Sequence, residues 1–136
     1  MQTDTDLAMT ELTPLEQRVL DMLFAGEHPV LAALRKQLQS ARIKNREMTG
    51  SGFFTEFEVD RTLPPVSKNL DRFWIDDVDA TAAGLRKGAG FTVFVSEGYL
   101  EMLEGYTADE PWPQGMEACE LDYAQEPRDT SFLEGR

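Results

Sequence analysis

Hydrophobic and polar residues alternate along residues 90–106, on both sides of the dipeptide Glu97-Gly98. Before the dipeptide, one face carries Phe91, Val93 and Val95, and the other carries Thr92, Phe94 and Ser96. After it, Leu100 and Met102 alternate with Tyr99, Glu101 and Leu103. Alternation with a period of two around an X-Gly pair predicts two antiparallel strands joined by a tight turn. The segment therefore predicts a β-hairpin and, with it, a sheet.

The N-terminal third of the chain has helical spacing instead. Thr13-Pro14-Leu15-Glu16 combines a capping residue, a proline suited to the first helical position and a glutamate that can complete a capping box. Apolar residues follow at helical spacing as far as Leu23, and Gly26 is a natural stop. A second amphipathic stretch runs from about Pro29 to about Ser40. Two short helices in succession predict a helical hairpin that lies on the sheet.

A second alternating pair, residues 41–48 and 53–59, flanks the turn sequence at residues 49–52. We expect these strands to pair in an even register, because that register places opposite charges across from each other on one face. The other face, which we assign to the core, then carries Ala41, Ile43, Asn45 and Glu47 with Phe53, Thr55, Phe57 and Val59.

These patterns predict an α+β fold: two N-terminal helices packed on a five-stranded, mainly antiparallel sheet in sequential order. The strands are expected near residues 41–48, 53–59, 72–79, 91–96 and 99–105. The helices should cover one face. The other face, with Phe54, Phe94 and Leu103, is too apolar to be left to solvent. We expect either the Pro111-Trp112-Pro113 segment, docked through its tryptophan, or a second subunit to cover it.

Three regions are expected along the chain. Residues 1–12 are predicted to form a flexible arm, residues 13–113 a single α+β domain, and residues 114–136 an acidic tail that is irregular or disordered.

Charge narrows the classes of partner. The chain carries 25 acidic and 13 basic side chains, a net charge of −12. Such a surface repels phosphate backbones, which argues against nucleic-acid binding, and it favours a basic protein as partner. The N-terminus lacks the pattern of a secretory signal, and no apolar run approaches the roughly 18 residues that a membrane span needs. We therefore expect a soluble, cytoplasmic protein without a membrane partner.

No residue pattern indicates catalysis, a metal site or a cofactor. Asp76, Asp77 and Asp79 form the densest carboxylate cluster, but alternate strand residues point to opposite faces, so a solvated strand end is favoured over a cation site. His28 precedes Pro29 and is expected to cap the second helix. Cys119 lies among acidic residues, which disfavour a reactive thiolate.

Six residues are candidates for a ligand pocket. Asn45, Glu47 and Thr55 fall on the predicted core face, where polar groups need hydrogen bonds or a cavity. Glu104 is expected on the inner side opposite Phe91, near Tyr106 and Trp112. A carboxylate beside two aromatic rings suits a cationic or polar ligand, whereas a simple core edge is the alternative.

Three segments carry a resemblance to known proteins: Thr49–Val59 (TGSGFFTEFEV), Gly88–Thr107 (GAGFTVFVSEGYLEMLEGYT) and Asp109–Pro113 (DEPWP). They resemble a group of small bacterial proteins of unknown function, and the GFFTEF and LEGYT-x-DEPWP motifs are the most distinctive parts. The likeness covers about residues 12–113. It implies a bacterial, single-domain, intracellular protein and transfers no catalytic residue.

Two functions are left open by the sequence. The first is a non-enzymatic protein-binding module with an acidic surface, such as an inhibitor, an immunity-like protein or a regulator. The alternative is a small enzyme or small-ligand-binding protein with a carboxylate-lined pocket. Either could act as a homodimer.

Overall fold

The computed structural model describes residues 11–66 and 72–134, which form two α-helices and one antiparallel sheet of six strands. The helices are α1 (Pro14–Leu23) and α2 (Pro29–Ser40). The strands are β1 (Arg42–Met48), β2 (Gly52–Glu58), β3 (Arg72–Thr81), β4 (Ala89–Ser96), β5 (Tyr99–Thr107) and β6 (Glu120–Tyr123). The predicted α+β class is confirmed, but the prediction of five strands is wrong.

The helix starts follow their local sequence. The Glu16 amide donates to Thr13 Oγ1 at 3.1 Å, and the Thr13 amide donates to Glu16 Oε1 at 2.8 Å, which completes the predicted capping box. His28 caps α2, where its Nδ1 accepts a hydrogen bond from the Val30 amide at 3.1 Å. At the start of each helix, the capping side chain and the amide that it binds lie within three residues of each other. The sequence alone therefore predicts both helix starts.

Strand order departs from the prediction. The order is β1-β2-β5-β4-β3-β6 rather than sequential, so the β4–β5 hairpin lies between β2 and β3. The pairing of β2 with β5 depends on a glycine, because a Cβ at Gly105 would lie 2.4 Å from Cε1 of Phe53. The bare backbone at Gly105 leaves room for that buried ring.

The predicted hairpin at Glu97-Gly98 is confirmed. Both turn residues have positive φ angles, 56° and 80°, as a type I′ turn requires. A bulge at Phe94/Val95 then shifts the alternation along β5. Leu103 is therefore fully buried beneath the helices, and our assignment of Leu103 to the opposite face is wrong.

The predicted even register of β1 and β2 holds only at the end that is farther from the turn between these strands. Ile43 pairs with Phe57, but a bulge at Lys44 makes Arg46 the partner of Thr55. Beyond Lys44 the predicted register is wrong, and Arg46 lies on the side of the sheet that the helices cover. Asn45 and Glu47 lie on the opposite face.

A buried ion pair accounts for the inward position of Arg46. The Glu16 side chain is 2% exposed, and its carboxylate accepts hydrogen bonds from Arg46 Nη2 at 2.6 Å and Nε at 3.1 Å. Thr55 Oγ1 donates to the same carboxylate at 2.5 Å. One carboxylate thus ties the first turn of α1 to β1 and β2.

The hydrophobic core lies between the two helices and the inner face of the sheet, where α1 packs on β3 and α2 on β5. Gln37 joins these layers, because its amide nitrogen donates to the Gly98 carbonyl at 3.0 Å and its oxygen accepts from the Leu100 amide at 2.9 Å. The helices therefore cover one face of the sheet only.

The segment after residue 113 packs on the same core, unlike the irregular tail that we predicted. Short 3-10 turns at Met116–Ala118 and Ser131–Glu134 flank β6, which pairs with the edge of β3. Arg128 holds the segment in place through hydrogen bonds to Asp77 at 2.7 Å and to the Leu23 carbonyl at 2.7 Å. Residues 1–10 of the predicted N-terminal arm lie outside the described residues.

Candidate functional site

The sheet face opposite the helices is the candidate site, and we call it the open face. Two rows of side chains cross its strands. The first row contains Asn45, Glu56, Met102, Phe94 and Trp74, and the second contains Glu47, Phe54, Glu104 and Thr92. In the part of the chain that the structure describes, no helix packs on this face.

One end of the open face is apolar. Trp74, Phe94 and Met102 lie side by side on β3, β4 and β5, whereas Phe54 on β2 lies in the next row, between Glu47 and Glu104. The Trp74 residue is 57% exposed, whereas Phe54, Phe94 and Met102 are partly buried. A contiguous apolar surface that is open to solvent is typical of an interaction site.

The other end is acidic. Glu47, Glu56 and Glu104 lie on three adjacent strands. Glu56 accepts a hydrogen bond from Asn45 Nδ2 at 3.2 Å, whereas Glu47 and Glu104 form no salt bridge with any residue in 11–66 or 72–134. This end therefore carries negative charge that the described residues do not neutralise.

Negative charge also accumulates on β3. Burial raises the pKa of the Asp79 carboxyl, and the neighbouring Asp76 and Asp77 carboxylates raise this pKa further. Gly90 lies between Asp79 and Tyr106, and a Cβ at Gly90 would come within 2.8 Å of the Tyr106 side chain. The pKa shift of Asp79 therefore reflects burial first and the like charge of its two neighbours second.

The structure divides the predicted pocket residues between the two faces. Asn45, Glu47, Glu104 and Tyr106 lie on the open face. Thr55 is fully buried on the helix side, where it donates to Glu16. The prediction that Glu104 faces inward opposite Phe91 is wrong, because Glu104 pairs with Thr92.

Trp112 is docked, as predicted, but on the helix side. Its ring forms T-shaped contacts with Phe53 and Phe91, at centroid distances of 5.5 Å and 6.2 Å. The Pro-Trp-Pro segment therefore leaves the open face uncovered. The sequence did not identify Trp74 or Met102 as residues of the site. For Trp74 a signal exists: it lies between two apolar strand residues that are buried, Phe73 and Ile75, and alternation therefore places it on the opposite face.

A cavity of about 290 Å³ lies between the first turn of α1 and the segment around Trp112. Its walls include Leu15, Phe53 and Met116, and the Glu16–Arg46 pair forms its polar side. Because the Glu16 carboxylate already accepts hydrogen bonds from Thr13, Arg46 and Thr55, this cavity offers an apolar surface more than a reactive carboxylate.

A second carboxylate, Glu110, fastens the segment that precedes Trp112. It accepts hydrogen bonds from the backbone amides of Arg86 at 3.0 Å and Lys87 at 2.8 Å. The Arg86 hydrogen bond, followed by that of Lys87, lowers the pKa of Glu110, while burial opposes the shift. The ionised side chain thus holds the chain near Trp112 against the loop between β3 and β4.

This geometry predicts a pH-dependent contribution to stability. A carboxyl with a lower pKa in the folded state stabilises the fold above its unfolded pKa, about 4.3 for glutamate, and this stabilisation is lost as the pH falls through the folded-state pKa. Glu110→Gln should therefore destabilise the protein near neutral pH, and the difference from the parent should shrink on acidification. Urea unfolding across this pH range measures it, with exposed Glu117→Gln as the control, and a difference independent of pH would contradict the assignment.

The other side chains that bear on metal binding or thiol reactivity are the remaining acidic residues, His28 and Cys119. Within 11–66 and 72–134, no three His, Cys, Asp or Glu side chains come together in a group that could hold a metal ion. Cys119 is buried, and this burial raises the pKa of its thiol. Neither described helix is long and apolar enough to cross a membrane.

The fold and the site thus define an α+β protein with one helix-covered and one open face of its sheet. Comparison with known protein families, curated proteins and solved structures finds no match. The resemblance to small bacterial proteins therefore stays a prediction that rests on the quoted segments.

Proposed function

We propose that the protein is a non-enzymatic protein-binding module and that the open face is its binding surface. The observation that carries the proposal is the uncovered apolar end, where Trp74 is 57% exposed beside Phe94 and Met102. Interface centres are rich in aromatic residues and methionine, and a large apolar anchor commonly dominates binding. An inhibitor, an immunity-like protein or a regulator would act in this way.

A second candidate function, a small-ligand-binding protein, is favoured by the cavity near Trp112. Its volume of about 290 Å³ suits a small apolar or aromatic group. Binding there would raise the melting temperature with ligand concentration. Asn45, Glu47, Glu104 and Tyr106, which lie on the open face, would not contact a ligand in this cavity.

Site-directed photocrosslinking tests the first proposal. Benzoylphenylalanine at position 74 should give a discrete covalent adduct in cells of the native host, because a partner on the open face lies within reach of that residue. The same probe in place of exposed Lys36, on α2, is the matched control. No adduct from position 74, or the same adduct from both positions, would overturn the proposal.

A further inference from the structure

We infer that the occupant of the open face is a basic segment of another protein, with apolar side chains over Trp74 and Phe94 and lysine or arginine side chains over Glu47, Glu56 and Glu104. The inference rests on the proposed function, because it names the chemistry of the partner at that same surface.

The two ends of the open face set the spacing of the partner's groups. Trp74 on β3 and Glu56 on β2 lie in one row, separated by β4 and β5. Neighbouring strands lie about 4.8 Å apart, so the two positions are roughly 14 Å apart across the sheet. An extended segment covers this distance in about four residues. A short peptide that is apolar in one half and basic in the other therefore matches the surface.

Charge decides which partner the acidic end accepts. Glu47 and Glu104 have no salt-bridge partner among the described residues, so covering them with a neutral surface would bury carboxylates without compensation. A lysine or arginine side chain supplies the missing charge and keeps a hydrogen bond to the carboxylate. The apolar end can then be buried at the same time.

A second copy of this chain is a poorer occupant. A symmetric dimer brings the same patch of both subunits together, and the open face carries more carboxylates than cations. Arg42 is already paired with Glu58 at 3.0 Å. Stacking two such faces would therefore oppose like charges in a chain whose net charge is −12.

Titration of the full chain with defined peptides tests the inference. The probe is a peptide of about eight residues, which spans about 26 Å when extended, with leucines in one half and lysines in the other. A matched peptide has glutamate in place of lysine. We expect NMR shifts of the Trp74 indole and of the Thr92 and Met102 amides with the lysine peptide only. The affinity should fall at least about tenfold between about 20 mM and 300 mM salt.

Two triple variants complete the experiment. Glu47→Gln/Glu56→Gln/Glu104→Gln should weaken lysine-peptide binding about tenfold or more at low salt. Asp21→Asn/Glu27→Gln/Glu117→Gln removes the same charge from exposed positions on the helix side and should leave the affinity within about twofold.

Three outcomes would overturn the inference: equal binding of both peptides, shifts outside the open face, or self-association of the free protein through that face. A photocrosslinked adduct from position 74 that is insensitive to the acidic triple variant would refute the basic partner while leaving the protein-binding function in place. Failure of that crosslink alone would count against the function instead.

Discussion

Replacing Arg46 with alanine should lower the free energy of unfolding by about 3–5 kcal/mol. The Glu16 carboxylate is 2% exposed and pairs with Arg46 at 2.6 Å. Removal of the guanidinium leaves a buried carboxylate with hydrogen bonds from Thr13 and Thr55 but without its cation. An uncompensated buried charge costs far more than the loss of an exposed pair, so we expect a large fall in the urea midpoint.

The same strand offers a matched control. Arg42 pairs with Glu58 at 3.0 Å, but the two side chains are 79% and 60% exposed. Because water screens such a pair, Arg42→Ala should cost no more than about 1 kcal/mol. If the two variants unfold at the same urea concentration, the Glu16–Arg46 pair does not anchor α1 to the sheet.

Gly52→Ala should destabilise the protein by about 3 kcal/mol, because added volume in a tightly packed site forces the backbone to shift. A Cβ at this position would lie 2.0 Å from the Gly105 carbonyl oxygen and 3.0 Å from the Tyr106 Cα atom. Both contacts are with the backbone of β5, which cannot rotate away as a side chain can. The β2–β5 pairing would have to open locally, which thermal unfolding would detect.

Gly115→Ala provides the comparison. A Cβ there meets nothing within 4 Å, and the residue has a φ of −89°, which alanine adopts without strain. We expect a change within about 0.5 kcal/mol, as for most surface substitutions. Equal melting temperatures for the two glycine variants would contradict the close approach of β2 to β5.

The sequence predicted which residues of the candidate site share a face of the sheet, but it did not predict which face. The sequence predicts Asn45, Glu47 and Glu104 as polar groups on the core side and Tyr106 as an aromatic neighbour of Glu104. They do gather on one face, but on the open one. The bulge at Lys44 places Asn45 and Glu47 there, and the bulge in the β4–β5 pairing does the same for Glu104 and Tyr106. Period-two alternation identifies which residues share a face, whereas one inserted residue exchanges the two faces.

Local sequence is sufficient to specify three features: the capped start of α1 at Thr13, the cap of α2 at His28 and the turn at Glu97-Gly98. These features depend on atoms within a few residues of each other, so the chain specifies them directly. Long-range contacts set the strand order, the docking of the C-terminal segment by Arg128 and the inward position of Arg46. Sequence patterns do not predict these features because each depends on a partner far along the chain. The clearest case is Glu16, which lies 30 residues before Arg46.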